Sequence, residues 1–104
     1  MGRIGLSNEC QTLELIISNL ETGKDTCEIG DTRYSLKDAI DYLRDYLQEL
    51  RDLDSEIVRI GNTPEMLEAV YRKYTELWLF QLSFYVSSLP LVIGGLQNYA
   101  NQKE

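Results

Sequence analysis

LWLFQLSFYVSSLPLVIGGL, residues 77–96, is the stretch whose surroundings decide how this chain folds. No charged side chain occurs between Glu76 and Lys103. A helix that is apolar all round has to be buried all round, in protein or in lipid. The stretch matches the roughly 20 apolar residues that cross a bilayer as one helix. However, Gln81, Ser83, Ser87 and Ser88 dilute it, and Pro90 and Gly94-Gly95 interrupt it. Nor does a cluster of Lys or Arg follow it to set an orientation across a membrane. Burial against protein is therefore the expectation, and an anchor in a membrane through residues 77–96 is the alternative. A chain of 104 residues can hardly surround such a helix. Part of the stretch should then remain an apolar patch of the kind that marks an interface, which points to self-association.

Working back from this stretch, Thr63-Pro64-Glu65 is a helix start. Thr63 caps, Pro64 takes the first helical position and Glu65 favours the helix dipole. The helix it opens runs through Met66, Leu67, Val70, Tyr71, Tyr74, Leu77 and Trp78, with Pro90 expected to kink or end it and a shorter helix or extended tail from Leu91 to Ala100, weakened by Gly94-Gly95, to follow. Before it, Ser35 caps another helix and Asp38 lies in its first turn. Leu36, Ile40, Leu43, Leu47 and Leu50 recur there at alternating spacings of four and three, and Ile57 and Ile60 continue that face. Tyr42, Tyr46 and Leu53 make a second stripe beside the first, so this helix needs a second neighbour, which need not belong to the same chain. It should end near Gly61.

The N-terminal part follows the same logic. Residues 1–6 read as an arm. Ser7 is a plausible N-cap, and Leu6, Cys10, Leu13, Ile17 and Leu20 share one helical face that Leu15 and Ile16 widen. Gly23 suits the left-handed position that ends the helix. Thr26–Ile29 and Thr32–Tyr34 are β-prone runs around a Gly30-Asp31 turn of type II′, a short hairpin that needs a helix to pack on. The fold class expected is mainly α (α+β). It comprises a helix, a short hairpin, a long amphipathic helix and a long apolar C-terminal helix kinked near Pro90. Residues 1–104 form a single domain, with the helix–hairpin–helix unit over 7–61 and the apolar helical segment over 62–104.

Composition narrows the function. Hydrophobic residues make up 43% and charged residues 26%, which is the balance of a folded globular domain. The net charge is −7, and the Arg72-Lys73 pair, flanked by Glu68 and Glu76, reads as a solvated helix face. No nucleic-acid partner is expected, because phosphate contacts call for a basic surface. There is no His, which removes the commonest general base and metal ligand. Cys10 and Cys27 lack metal-site spacing and read as reduced thiols of a cytoplasmic protein, with a Cys10–Cys27 disulfide as the alternative that nothing demands, and no secretory signal follows Met1. The paired carboxylates Asp41 with Asp45, Asp52 with Glu56, and Asp54 with Glu56 lie among other charges on a solvated face. No enzymatic activity, cofactor or metal is expected.

The order helix, Leu20-x-Thr22-Gly23-Lys24, Gly30-Asp31 turn, Tyr34-Ser35 and the helix LKDAIDYLRDYLQEL resembles the W-type (gpW-like) head–tail joining proteins of tailed phages. The likeness runs over about residues 13–56. It implies an α-β-β-α core, no catalysis, and assembly as rings in the neck between portal and tail. The chain departs from that pattern in its acidity and in its long apolar C-terminal part. The function expected is that of a non-enzymatic structural or assembly protein, a homo-oligomeric connector or neck-type subunit in the host cytoplasm or the virion. The alternatives are a small acidic adaptor or inhibitor that binds one protein partner through the third helix, and the membrane-anchored protein. Candidate interface residues are Tyr42, Tyr46, Leu53, Tyr74, Trp78, Phe80, Phe84 and Tyr85, since tyrosine and its aromatic relatives serve interfaces as well as core edges.

Overall fold

Apolar residues at four-three spacing build four helices, and a computed structural model describes residues 5–23, 27–28 and 35–101. The elements are α1 (Ser7–Thr22), β1 (Cys27–Glu28), α2 (Leu36–Ile60), α3 (Pro64–Ser83), β2 (Tyr85–Val86) and α4 (Leu89–Ala100). The fold is mainly α.

α1 starts one residue earlier than its sequence suggests. Leu6, not Ser7, occupies the N-cap position, and no side chain caps the helix. The Leu6 carbonyl already accepts from the Cys10 N–H at 3.0 Å. The Leu6 N–H instead donates to Asp54 Oδ1 of α2 at 2.5 Å. Burial explains the shift: Leu6 is fully buried, so the chain enters the core before the helix begins. α1 ends at Gly23, whose φ of 74° is costly for a residue with a Cβ.

α2 begins as its sequence indicates, with Ser35 Oγ accepting from the Asp38 N–H at 3.1 Å. It lies antiparallel to α1, since Glu21 pairs with Arg44 and Glu14 with Arg51. These pairs are half-exposed and fix register more than they add stability. Leu43, Leu47, Leu50 and Ile57 are buried, while Leu36 and Ile60, at the ends of this longest helix, remain exposed. The second stripe of α2 turns onto α3. The Tyr42 ring stacks on Phe80 at 4.3 Å between centroids, and Tyr46 donates its hydroxyl to the Lys73 carbonyl at 2.5 Å. The second neighbour of α2 is thus a helix of the same chain.

Gly61 has a φ of 85° and closes α2. Thr63 then caps α3, its Oγ1 accepting from the Met66 N–H at 3.1 Å, with Pro64 in the first turn. The continuous apolar helix kinked near Pro90 does not form. α3 stops at Ser83, Phe84 is extended, and Pro90 falls in the first turn of the separate helix α4. Proline lacks an amide hydrogen and has a preset φ, so it opens a helix more readily than it bends one. The break lets the apolar run fold back and bury part of itself, α4 packing on α3 and on α1.

β1 pairs antiparallel with β2, Cys27 opposite Val86 and Glu28 opposite Tyr85. The Gly30-Asp31 turn and the Thr32–Tyr34 run of the expected hairpin lie outside the described residues. Each helix packs on the next, and α4 closes on α1. Leu13, Leu43, Val70, Leu77, Phe84, Leu96 and Tyr99 belong to one core that all four helices share. Tyr99 is fully buried and donates its hydroxyl to Asn62 Oδ1, tying the end of α4 to the link between α2 and α3. Among the described residues, no helix is long and apolar enough to cross a membrane.

Candidate interaction surface

The eight candidate interface residues separate into two groups. Tyr46, Phe80 and Phe84 are buried in the core, and Tyr42, Leu53 and Tyr74 are half-buried against it. These six pack inside the chain because α3 folds over the second stripe of α2. Trp78 and Tyr85 remain on the surface, 42% and 46% exposed. The sequence reading missed the exposed side chains that α3 adds to them, Tyr71, Leu79 and Leu82.

Helix geometry explains their common orientation. Val70, Leu77 and Phe80 turn inward from α3. Tyr71, Trp78 and Leu82 lie on the opposite side of the helix, because steps of seven and four residues return to nearly the same angle. Thr75 completes that row, and its hydroxyl bonds back to the Tyr71 carbonyl at 3.1 Å. The polar atom of Thr75 is therefore occupied within the helix. The outer side of α3 is charged near its start, at Glu65, Glu68 and Arg72, and apolar from Trp78 onward.

Comparison with protein-family models, curated proteins and solved structures found no match to this chain.

Several of the carboxylates elsewhere are engaged by polar partners. Asp41 pairs with Lys37 at 3.2 Å, Glu56 with Arg59 at 2.6 Å, Asp52 accepts from Gln48 at 3.1 Å, and Asp54 holds the Leu6 amide. Lys73 joins Glu49 and Glu76 above the Tyr46 ring. Burial alone would lower the Lys73 pKa, but the two carboxylates outweigh it and raise it. Burial likewise pushes the Tyr46 phenol upward, with Tyr42, Glu76 and Glu49 adding to it. Such a cluster holds α2 to α3.

A groove of about 430 Å³ lies between the end of α1 and the start of α2, floored by Leu20 and Ile40. The Lys37–Asp41 and Glu21–Arg44 pairs occupy its rim. Cys10 is a free, buried thiol. Burial pushes its pKa up to about 11, with Asp54 adding to the effect, so its nucleophilic form is disfavoured. Among the described residues no group of three or more Cys, Asp or Glu could hold a metal ion.

Proposed function

We propose that this chain is a non-enzymatic structural protein that works by assembling with copies of itself, a connector- or neck-type subunit of the host cytoplasm or the virion. The observation that supports this reading is the apolar outer side of α3, where Trp78, Leu79 and Leu82 stand exposed on an otherwise acidic chain. Exposed apolar groups that lie together are uncommon on a monomer and are covered by association. The resemblance of residues 13–56 to the head–tail joining proteins supports the assembly role.

Light scattering in detergent-free buffer tests the proposal. A mass that is a multiple of the 12.0 kDa chain is expected. A folded chain that stays monomeric at high micromolar concentration overturns it. Capture of one different protein without self-association would favour an adaptor instead.

A further inference from the structure

Tyr85 lies just beyond the end of α3, in β2, while Tyr71, Thr75, Trp78 and Leu82 on α3 follow one another at spacings of four, three and four. That is the heptad repeat with which one helix seats its side chains between those of another. All five are exposed, and Leu79 flanks the seam. The helices of this chain leave the seam uncovered, because α2 and α4 occupy the inner side of α3. Building on the assembly reading, we propose that a second copy of this chain covers the seam, its α3 running antiparallel to the first with Trp78 near the two-fold axis.

Three observations select a second copy. The first is charge. Each chain carries −7, yet no charged residue lies between Glu76 and Lys103. Two acidic chains can approach closely only through a neutral face, since like charges brought together at an interface oppose binding. The second is area. Tyr71, Trp78, Leu79, Leu82 and Tyr85 together present on the order of 600 Å² to solvent, set against about 800 Å² per partner in a standard interface. The third is self-complementarity. A two-fold contact requires one surface to match itself. An antiparallel seam centred on Trp78 places Thr75 near the Leu82 of the other copy and Tyr71 toward the end of its α3. It also sends the two charged beginnings of α3, with Glu65 and Glu68, to opposite ends. A parallel pair would set Glu68 against Glu68. An antiparallel pair closes on itself, so a larger ring would be built from pairs through a further surface.

Trp78 is the only tryptophan, so its fluorescence reports the seam directly. The wild-type chain should be dimeric or an even multiple by sedimentation. Its emission should move to the red on dilution, over the range in which the dimer dissociates. Leu82→Glu should weaken association about a hundredfold or more, while circular dichroism shows the helices intact. Leu15→Glu, at an exposed site on α1, should leave association unchanged. The double variant Thr75→Lys/Leu82→Glu fixes direction. Antiparallel pairing brings Lys against Glu twice, so it should associate more tightly than Leu82→Glu alone; weaker association than that variant overturns the antiparallel arrangement. If the wild type assembles and Leu82→Glu assembles equally well, the seam is wrong and the assembly reading stands. If the folded wild type is monomeric with an invariant spectrum, both fall.

Discussion

Neighbouring glycines in α4 have opposite roles. A Cβ at Gly94 would meet nothing within 4 Å. A Cβ at Gly95 would run into the carboxylate of Glu9, a side chain only 4% exposed with little room to withdraw. Gly94→Ala should therefore raise stability by about 0.5–1 kcal/mol through helix propensity. Gly95→Ala should lower it by about 1–3 kcal/mol through overpacking. Urea titration of both variants measures this, and the Gly95 penalty should shrink sharply in a Glu9→Ala background. The Cys10 thiol gives a pH dependence of definite sign. Well below pH 9.0 the thiol is protonated in both the folded and the unfolded chain. Between 9.0 and about 11 the unfolded thiol ionises and the folded one does not. The unfolded state then binds fewer protons, and stability falls as pH rises, by on the order of 1 kcal/mol per pH unit. Cys10→Ala should reduce that loss between pH 8.5 and 10.5, and equal losses in the two proteins would refute the assignment.

Helices α2 and α3 show two ways of using apolar residues. α2 has charge on one side and two adjoining apolar stripes, which α1 and α3 cover. α3 is apolar on both sides over its second half, and only the inner side is covered within the chain. Leu77 is fully buried and Leu79 is 55% exposed, two residues apart on the same helix. Leu77→Ala should cost about 2–5 kcal/mol of folding stability, and Leu79→Ala no more than about 0.5 kcal/mol. Denaturation at low protein concentration checks this, and comparable losses would mean that the outer side of α3 is covered within the chain. The helix starts at Ser35 and Thr63 were legible from single residues, because a cap is a local hydrogen bond. The start of α1 was not, since the buried position of Leu6 and its bond to Asp54 involve a residue 48 positions away.

Taken whole, the molecule separates its charge from its uncovered apolar surface. The −7 is carried outside residues 77–102, and the outer side of α3 is neutral from Leu77 onward. Self-association through a neutral face between acidic chains should strengthen with added salt, because screening weakens the repulsion between the remaining surfaces. The dimer dissociation constant should fall as ionic strength rises from about 20 to 150 mM, a range over which the Debye length falls from roughly 20 Å to about 8 Å. An adaptor that attracts a basic partner by charge would show the reverse. Sedimentation at the two salt concentrations distinguishes them.

Much of this architecture could be read before any coordinates. Four-three spacing gave the inward faces of α1 and α2, and Thr63-Pro64 gave the start of α3, because these signals depend on residues within one or two helical turns. Residues 77–96 were the limit of that reading. A stretch apolar on every side carries little periodic contrast, so neither its break after Ser83 nor its inner face could be assigned. Tertiary packing decided both: the run folds back at Phe84–Ser88, Leu77, Phe80, Phe84 and Leu96 go into the core, and Trp78, Leu79 and Leu82 stay outside. It also turned Tyr42 and Tyr46 inward, since α3 lies over them. Local spacing fixes which residues share a face of a helix, whereas what covers that face depends on elements distant in the chain.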